Sequence, residues 1–168
     1  MEVVLPQILL RHMCCLIVLC LISSVAQALN TRGEKVIVVD PHRHTFAAYD
    51  ANGHLKRSGM ASSGRNYCPD IRRPCRTHTG YFRLYYLGDE SCYSTRYPLP
   101  NGGAPMPYCM YFNGNQALHG SYEVAYANLS HGCVRLRVSD AAWLRYHFVE
   151  SPNASNHYRG TLVIIKPY

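Results

Sequence analysis

Lys35-Val36-Ile37-Val38-Val39-Asp40 is a β-branched run of strand length, and short runs of this kind recur along the chain with turns between them. Branching at Cβ restricts χ1 and suits a pleated, half-buried surface, so runs broken this often by turn residues imply sheet rather than helix. Thr45–Tyr49 reads as the next strand, Asp50-Ala51-Asn52-Gly53 as a hairpin turn, and His54–Arg57 as the returning strand. Gly80–Leu87 alternates aromatic or aliphatic residues with others, which predicts one further strand. Pro98–Pro107 is loop, Tyr108–Phe112 and Gln116–Leu118 are extended and end at His119, and Gly160–Ile165 closes the chain as a buried strand. The only helical pattern opens at Ser139, placed to N-cap it, with Asp140 in the first turn. It runs through Ala141–Phe148, with Leu144 and Phe148 on one face, and ends before Pro152. The expectation is a mainly β, single-domain protein with one principal helix.

The first 28 residues stand apart from that domain. Met13–Val25 is almost uniformly apolar, follows Arg11 and His12, and precedes Ala26-Gln27-Ala28, a small-x-small cleavage pattern. This reads as a secretory signal over residues 1–28, too short to serve comfortably as a permanent anchor. The weak basic region, Glu2 with Arg11, leaves an uncleaved anchor as the alternative. Leu19 is too bulky for Cys20 to sit in a lipidation box. The mature domain is then 29–168, exported to the periplasm or cell wall and without stable membrane insertion.

Export makes cysteine count informative, because thiols pair in oxidising compartments. Of 8 cysteines, Cys14, Cys15 and Cys20 leave with the signal, so Cys68, Cys75, Cys92, Cys109 and Cys133 remain, an odd number. Proximity pairs Cys68 with Cys75 and Cys92 with Cys109, leaving Cys133. Net charge is +7, with Arg72, Arg73 and Arg76 grouped around the first of these loops. Such charge attracts anionic polymers or simply aids solubility. Nucleic acid is excluded as a partner by export and by the lack of a recognition motif.

Cys133 lies in Ser130-His131-Gly132-Cys133-Val134-Arg135-Leu136, with His119-Gly120 upstream. A cysteine with two histidines nearby is the material of a thiolate nucleophile and its base. A histidine partner is needed, because an unperturbed thiol is mostly protonated at neutral pH. Glycine before the cysteine lets other groups approach the backbone and leaves amides free to face a developing oxyanion. Zinc is the competing chemistry for His119, His131 and Cys133, but the spacing fits no zinc pattern and no fourth ligand is evident. A papain-like protease would carry its cysteine early and its histidine late, the reverse of the order here.

From about Lys35 to the last strand the chain resembles L,D-transpeptidase catalytic domains of the YkuD type. The likeness is carried by the opening strand-hairpin-strand, Pro105-Met106-Pro107-Tyr108, His119-Gly120-Ser121, and the string Ser130–Leu136. It implies a β-sandwich-like fold and acyl transfer on peptidoglycan tetrapeptide stems without metal or cofactor. Cys133 would be the nucleophile that forms a thioester, and His119 the proton donor and acceptor. His131 would shape or polarise the loop, and the Gly132 and Cys133 amides would face the oxyanion. Arg135 would hold a stem carboxylate, with Gly120, Ser121, Tyr108 and Ser130 lining the substrate. The acceptor decides among cross-linking, exchange of the terminal residue and protein attachment. Water as acceptor would give an L,D-carboxypeptidase, and a non-catalytic surface or host-interaction module is the reading from a different class. Two departures from the family pattern are a short His119–Ser130 interval, which implies an abbreviated Ser121–Leu129 loop, and His78 where proline is usual.

Overall fold

A computed structural model describes residues 29–168; the leader reading for residues 1–28 lies outside the described residues. Nine strands form one sheet: β1 (Val36–Asp40), β2 (Thr45–Tyr49), β3 (Leu55–Ser62), β4 (Gly80–Arg83), β5 (Tyr86–Leu87), β6 (Met110–Asn113), β7 (Gln116–Ser121), β8 (Val134–Arg137) and β9 (Leu162–Ile165). Their spatial order is β4-β9-β1-β2-β3-β8-β7-β6-β5. β1 pairs with β9 and β7 with β8 in parallel, and the other pairs are antiparallel.

The expected single strand Gly80–Leu87 is two strands, and they lie at opposite edges of the sheet. Leu84, fully buried, donates its amide to Thr161 O, whereas the Tyr85 amide donates to Tyr111 O. One peptide step therefore crosses from one edge to the other, so the sheet curls until its edges meet. Phe82 and Phe112 pack across that seam at 5.4 Å. Alternation could not reveal this break, since both halves keep a strand-like pattern.

Period-two patterning then fills the space inside the curl. Ile37, Val39, Phe46 and Ala48 face it from one half, and Met110, Leu118, Val134 and Leu136 from the other. Leu118, Val134 and Leu136 are wholly removed from water, and each contributes about 1.5–3 kcal/mol of transfer free energy. β8 was not among the expected strands, although Val134-Arg135-Leu136-Arg137 alternates cleanly. The hairpin at Asp50–Gly53 forms as expected, with the Asp50 carboxylate accepting from the Asn52 and His54 amides.

The helix ends at Phe148, before Pro152, as expected, but it differs at its start and in the form of its last turn. α1 spans Val138–Trp143 and passes into a wider π turn, Leu144–Phe148. Its N-cap position is Arg137, and no side chain caps it, so Ser139 lies inside the helix. β8 runs straight into α1, which leaves no free residue to fold a hydroxyl back. Asp140 lies in the first turn as expected and also pairs with Arg57 of β3, Nε to Oδ1 at 2.7 Å. Arg57 also lies over the Trp143 ring at 5.2 Å. Removing the carboxylate by Asp140→Ala is expected to cost about 2 kcal/mol. That is less than for a wholly buried pair, because the Arg57 side chain keeps 31% of its exposure. Urea unfolding measures it. Among the described residues, no helix is long and apolar enough to cross a membrane.

Candidate active site

The parallel pairing of β7 with β8 places the reactive groups. His119 is the register partner of Arg135, and Leu118 that of Val134. Paired residues of adjacent strands project to the same face, and side chains alternate along each strand. Leu118 and Val134 therefore enter the core, while His119 and Arg135 face outward. Cys133, two residues before Arg135, shares their face and lies diagonally across from His119, within reach of long side chains. All three line one cavity of about 360 Å³.

The turn that delivers Cys133 is built from Ser130. Its Oγ accepts from the Gly132 amide at 3.1 Å and donates to the Cys133 carbonyl. Ser130 also docks by backbone, donating to Ser63 O and accepting from Arg65 N. Gly132 adopts φ +117°, a region L side chains rarely enter. A Cβ there would lie 3.0 Å from the Gln116 side-chain amide. One expectation changes as a result: the Gly132 N–H is engaged by Ser130 rather than offered to an oxyanion. The Ser130 hydroxyl shapes the turn, and Ser130 also lines the cavity.

Both disulfides form as expected, Cys68–Cys75 and Cys92–Cys109, and Cys133 is the free cysteine among the described residues. Cys133 rests on a small cluster of Met106, Cys109 and Ala117, so the second disulfide underlies the cavity floor. Its thiol donates to Asn115 O at 3.6 Å and accepts from the Ala117 amide. Burial pushes the thiol pKa up, against the lowering effects of the Ala117 amide and Arg135.

His119 is buried, with 6% exposure. Its Nδ1 lies 2.9 Å from Gly120 O. A carbonyl can only accept, so Nδ1 carries the proton and Nε2 keeps its lone pair free. Burial, with Arg135 adding to it, lowers the imidazole pKa to about 4, opposed by the Gly120 hydrogen bond. The resting pair is thus a neutral thiol and a neutral imidazole, not a thiolate–imidazolium pair. Base action at Cys133 requires the thiol to turn from Asn115 O toward Nε2.

The remaining expected residues divide. Gly120 and Ser121 line the cavity, and a Cβ on Gly120 would approach Pro107 O to 3.1 Å. Arg135 reaches the exposed Glu123 carboxylate at 3.6 Å, a weak surface pair. Its guanidinium favours thiolate and disfavours imidazolium on the two groups beside it. His131 lines the cavity wall, with Nε2 2.7 Å from Asp70 Oδ2 and its ring stacked on Tyr97. Tyr108 is not at the cavity. It takes φ +59°, packs against the core and meets Tyr146 edge to face at 5.7 Å. The left-handed backbone at Tyr108 goes with a ring packed on the core rather than in the cavity lining, which proximity in sequence could not show.

Sequence reasoning missed Asp70, Tyr97, Tyr122 and Glu123. Tyr97, Tyr122 and Glu123 line the cavity from loops that carry no motif. Asp70 sits between the paired cysteines, and that loop was the available signal. Cys68, Asp70 and His131 are also the described residues clustered tightly enough to suggest a metal, but Cys68 is consumed by its disulfide and offers no thiolate.

Comparison with known proteins agrees with this fold. No curated protein sequence matches the chain. Among solved structures, an L,D-transpeptidase from Xylanimonas cellulosilytica is similar at 26% identity and TM-score 0.66, over 82% of this chain and 63% of that one. One from Mycobacterium smegmatis is similar at 23% identity and TM-score 0.60, over 80% and 59%. A third, LdtMt1 in complex with imipenem, aligns at 22% identity and TM-score 0.58, over 78% and 58%. The chain thus spans about three fifths of the length of these structures. A family model for the YkuD L,D-transpeptidase catalytic domain matches residues 34–165, which takes in every strand and both reactive residues. The chain belongs to the YkuD family of L,D-transpeptidase catalytic domains.

Proposed function

We propose that the protein is an exported cysteine L,D-transpeptidase acting on peptidoglycan stem peptides in the periplasm or cell wall. The observation that carries this is one cavity holding an unpaired cysteine and a histidine whose free lone pair is Nε2. Export is supported by two disulfides, which persist in oxidising compartments.

In this reading Cys133 Sγ attacks the carbonyl of the third, L-centred residue of a tetrapeptide stem as His119 Nε2 takes the thiol proton. The C–N bond to the terminal D-residue breaks, His119 returns the proton to the departing amine, and a thioester remains on Cys133. An acceptor amine then attacks the thioester carbonyl while His119 removes its proton. Collapse expels the sulfur, which regains that proton as thiol. The Gly120 carbonyl holds the imidazole in the required tautomer throughout. Arg135, facing the same cavity, stabilises thiolate character and is placed to meet a stem carboxylate.

Disaccharide-tetrapeptides are the test substrate. Cross-linked dimers with release of the terminal D-residue are expected. Tripeptides without dimers would instead identify a carboxypeptidase, and unchanged tetrapeptide in the presence of an acceptor would end the enzymatic reading.

A further inference from the structure

His131, in the cavity lining, joins the loop that carries Asp70, outside that lining, to the loop that carries Tyr97, within it. On one side its Nε2 meets Asp70 Oδ2 at 2.7 Å. On the other its ring lies on Tyr97, with centroids 4.3 Å apart and planes 27° from parallel. Asp70 belongs to the short loop closed by Cys68–Cys75, which the Cys68 amide braces by donating to Arg73 O at 3.0 Å. Tyr97 is anchored by its amide to Ser94 Oγ at 2.9 Å, and Ser94 and Tyr97 both line the cavity. His131 is followed directly by Gly132 and Cys133, so contacts that hold its ring restrain the backbone next to the nucleophile. The Cys75 carbonyl also lies 3.7 Å from where a Gly132 Cβ would stand, so the disulfide loop backs this turn.

We infer that Asp70 is a positioning residue for the transfer reaction: through His131 it fixes the Cys133 turn, and through the His131–Tyr97 stack it fixes the Tyr97 loop. Asp70 does not line the cavity and would not touch substrate. The Cys68–Cys75 crosslink serves the reaction by holding Asp70 at this distance. The inference rests on the transferase reading above and adds a residue to it. Small displacements of a reacting group are costly, since a misplacement of about 1 Å can lower a rate about 10²-fold.

The test uses the whole protein with Asp70→Ala, Asp70→Asn and the double variant Cys68→Ser/Cys75→Ser, each followed by tetrapeptide turnover and thermal melting. Asp70 is exposed, so its variants are expected to fold. Asp70→Ala should lower kcat about 10-fold or more with KM unchanged. Asp70→Asn, which keeps an oxygen acceptor for Nε2–H, should restore most of that loss. Adding Asp70→Ala to the cysteine double variant should cost little more, because both changes release the same contact. Wild-type kcat in Asp70→Ala, a loss confined to KM, or independent additive losses would each overturn the inference. If the wild-type protein itself fails to turn over tetrapeptide, the transferase reading falls. Positioning is then read from iodoacetamide alkylation of Cys133, where Asp70→Ala should differ from wild type by about 3-fold or more and equal rates would refute it.

Discussion

Cys133→Ala is expected to lower tetrapeptide turnover by at least about 10⁴-fold, with the fold and both disulfides retained. The magnitude follows from losing the atom that carries the covalent intermediate; removal of a nucleophile in acyl-transfer enzymes costs rates on this order or more. Retention of the fold follows from packing. Cys133 is only partly buried, and its neighbours Met106, Cys109 and Ala117 belong to a small cluster separate from the main core. Under the proposed function, intact mass after incubation with a carbapenem gives a second readout. The wild-type protein should gain one adduct and the variant none. An adduct of equal yield on Cys133→Ala would move the chemistry to another residue and remove the basis of the proposed function.

The second large effect concerns acid. His119 is held neutral by burial and its pKa lies at about 4, against 6.5 for an unperturbed imidazole. Above pH 6.5 both the folded and unfolded states carry the neutral ring, and the protein has its full stability. As pH falls from 6.5 toward 4, the unfolded chain binds the proton first, so stability declines. Below about 4 the loss is complete, and the separation of the two values corresponds to about 3 kcal/mol. Chemical denaturation at steps across this window measures the slope. His119→Gln, which cannot titrate, should flatten that part of the curve. The same residue sets the acid limb of kcat/KM, which should persist well below pH 6.5 before rate is lost. His119→Gln should reduce acylation by about 10²–10⁴-fold, the usual worth of a positioned general base. An acid limb centred at an unperturbed imidazole value, with stability indifferent to pH between 4 and 6.5, would show that the ring is hydrated and not the buried group described here.

At the basic end, burial raises the Cys133 thiol pKa. Iodoacetamide alkylation of Cys133 is therefore expected to keep rising above pH 9, where an unperturbed thiol would be levelling off. A plateau reached near neutrality would instead indicate a preformed thiolate.

The proposed nucleophile was legible as the free cysteine because that reading rests on adjacency and arithmetic. An odd cysteine in a string with histidine and glycine can be recognised without knowing where the string folds, and neighbouring cysteines with a turn-rich loop between them can be paired by proximity. The strands were legible where β-branched residues alternate, as in Val36–Asp40 and Thr45–Tyr49. Val134–Arg137 showed the same alternation but was overshadowed by the motif it follows. Other features depend on where distant segments meet. Nothing local to Leu84 shows that the chain changes sheet edge there, and nothing local to Tyr108 shows that its backbone turns left-handed. The Ser139 cap failed for a related reason, since propensity does not reveal that a strand feeds the helix without a gap.

By itself the sequence determined most of the strand-forming segments, the two crosslinks and the candidate reacting groups, because each depends on short-range covalent and steric preference. Only the tertiary structure decided that His119 is neutral with Nε2 free, that the Gly132 amide is occupied, and that Asp70 and Tyr97 from two separate loops both hold His131. Those properties follow from burial and from contacts between residues far apart in the chain, and both exist only once the sheet has curled and brought its loops together.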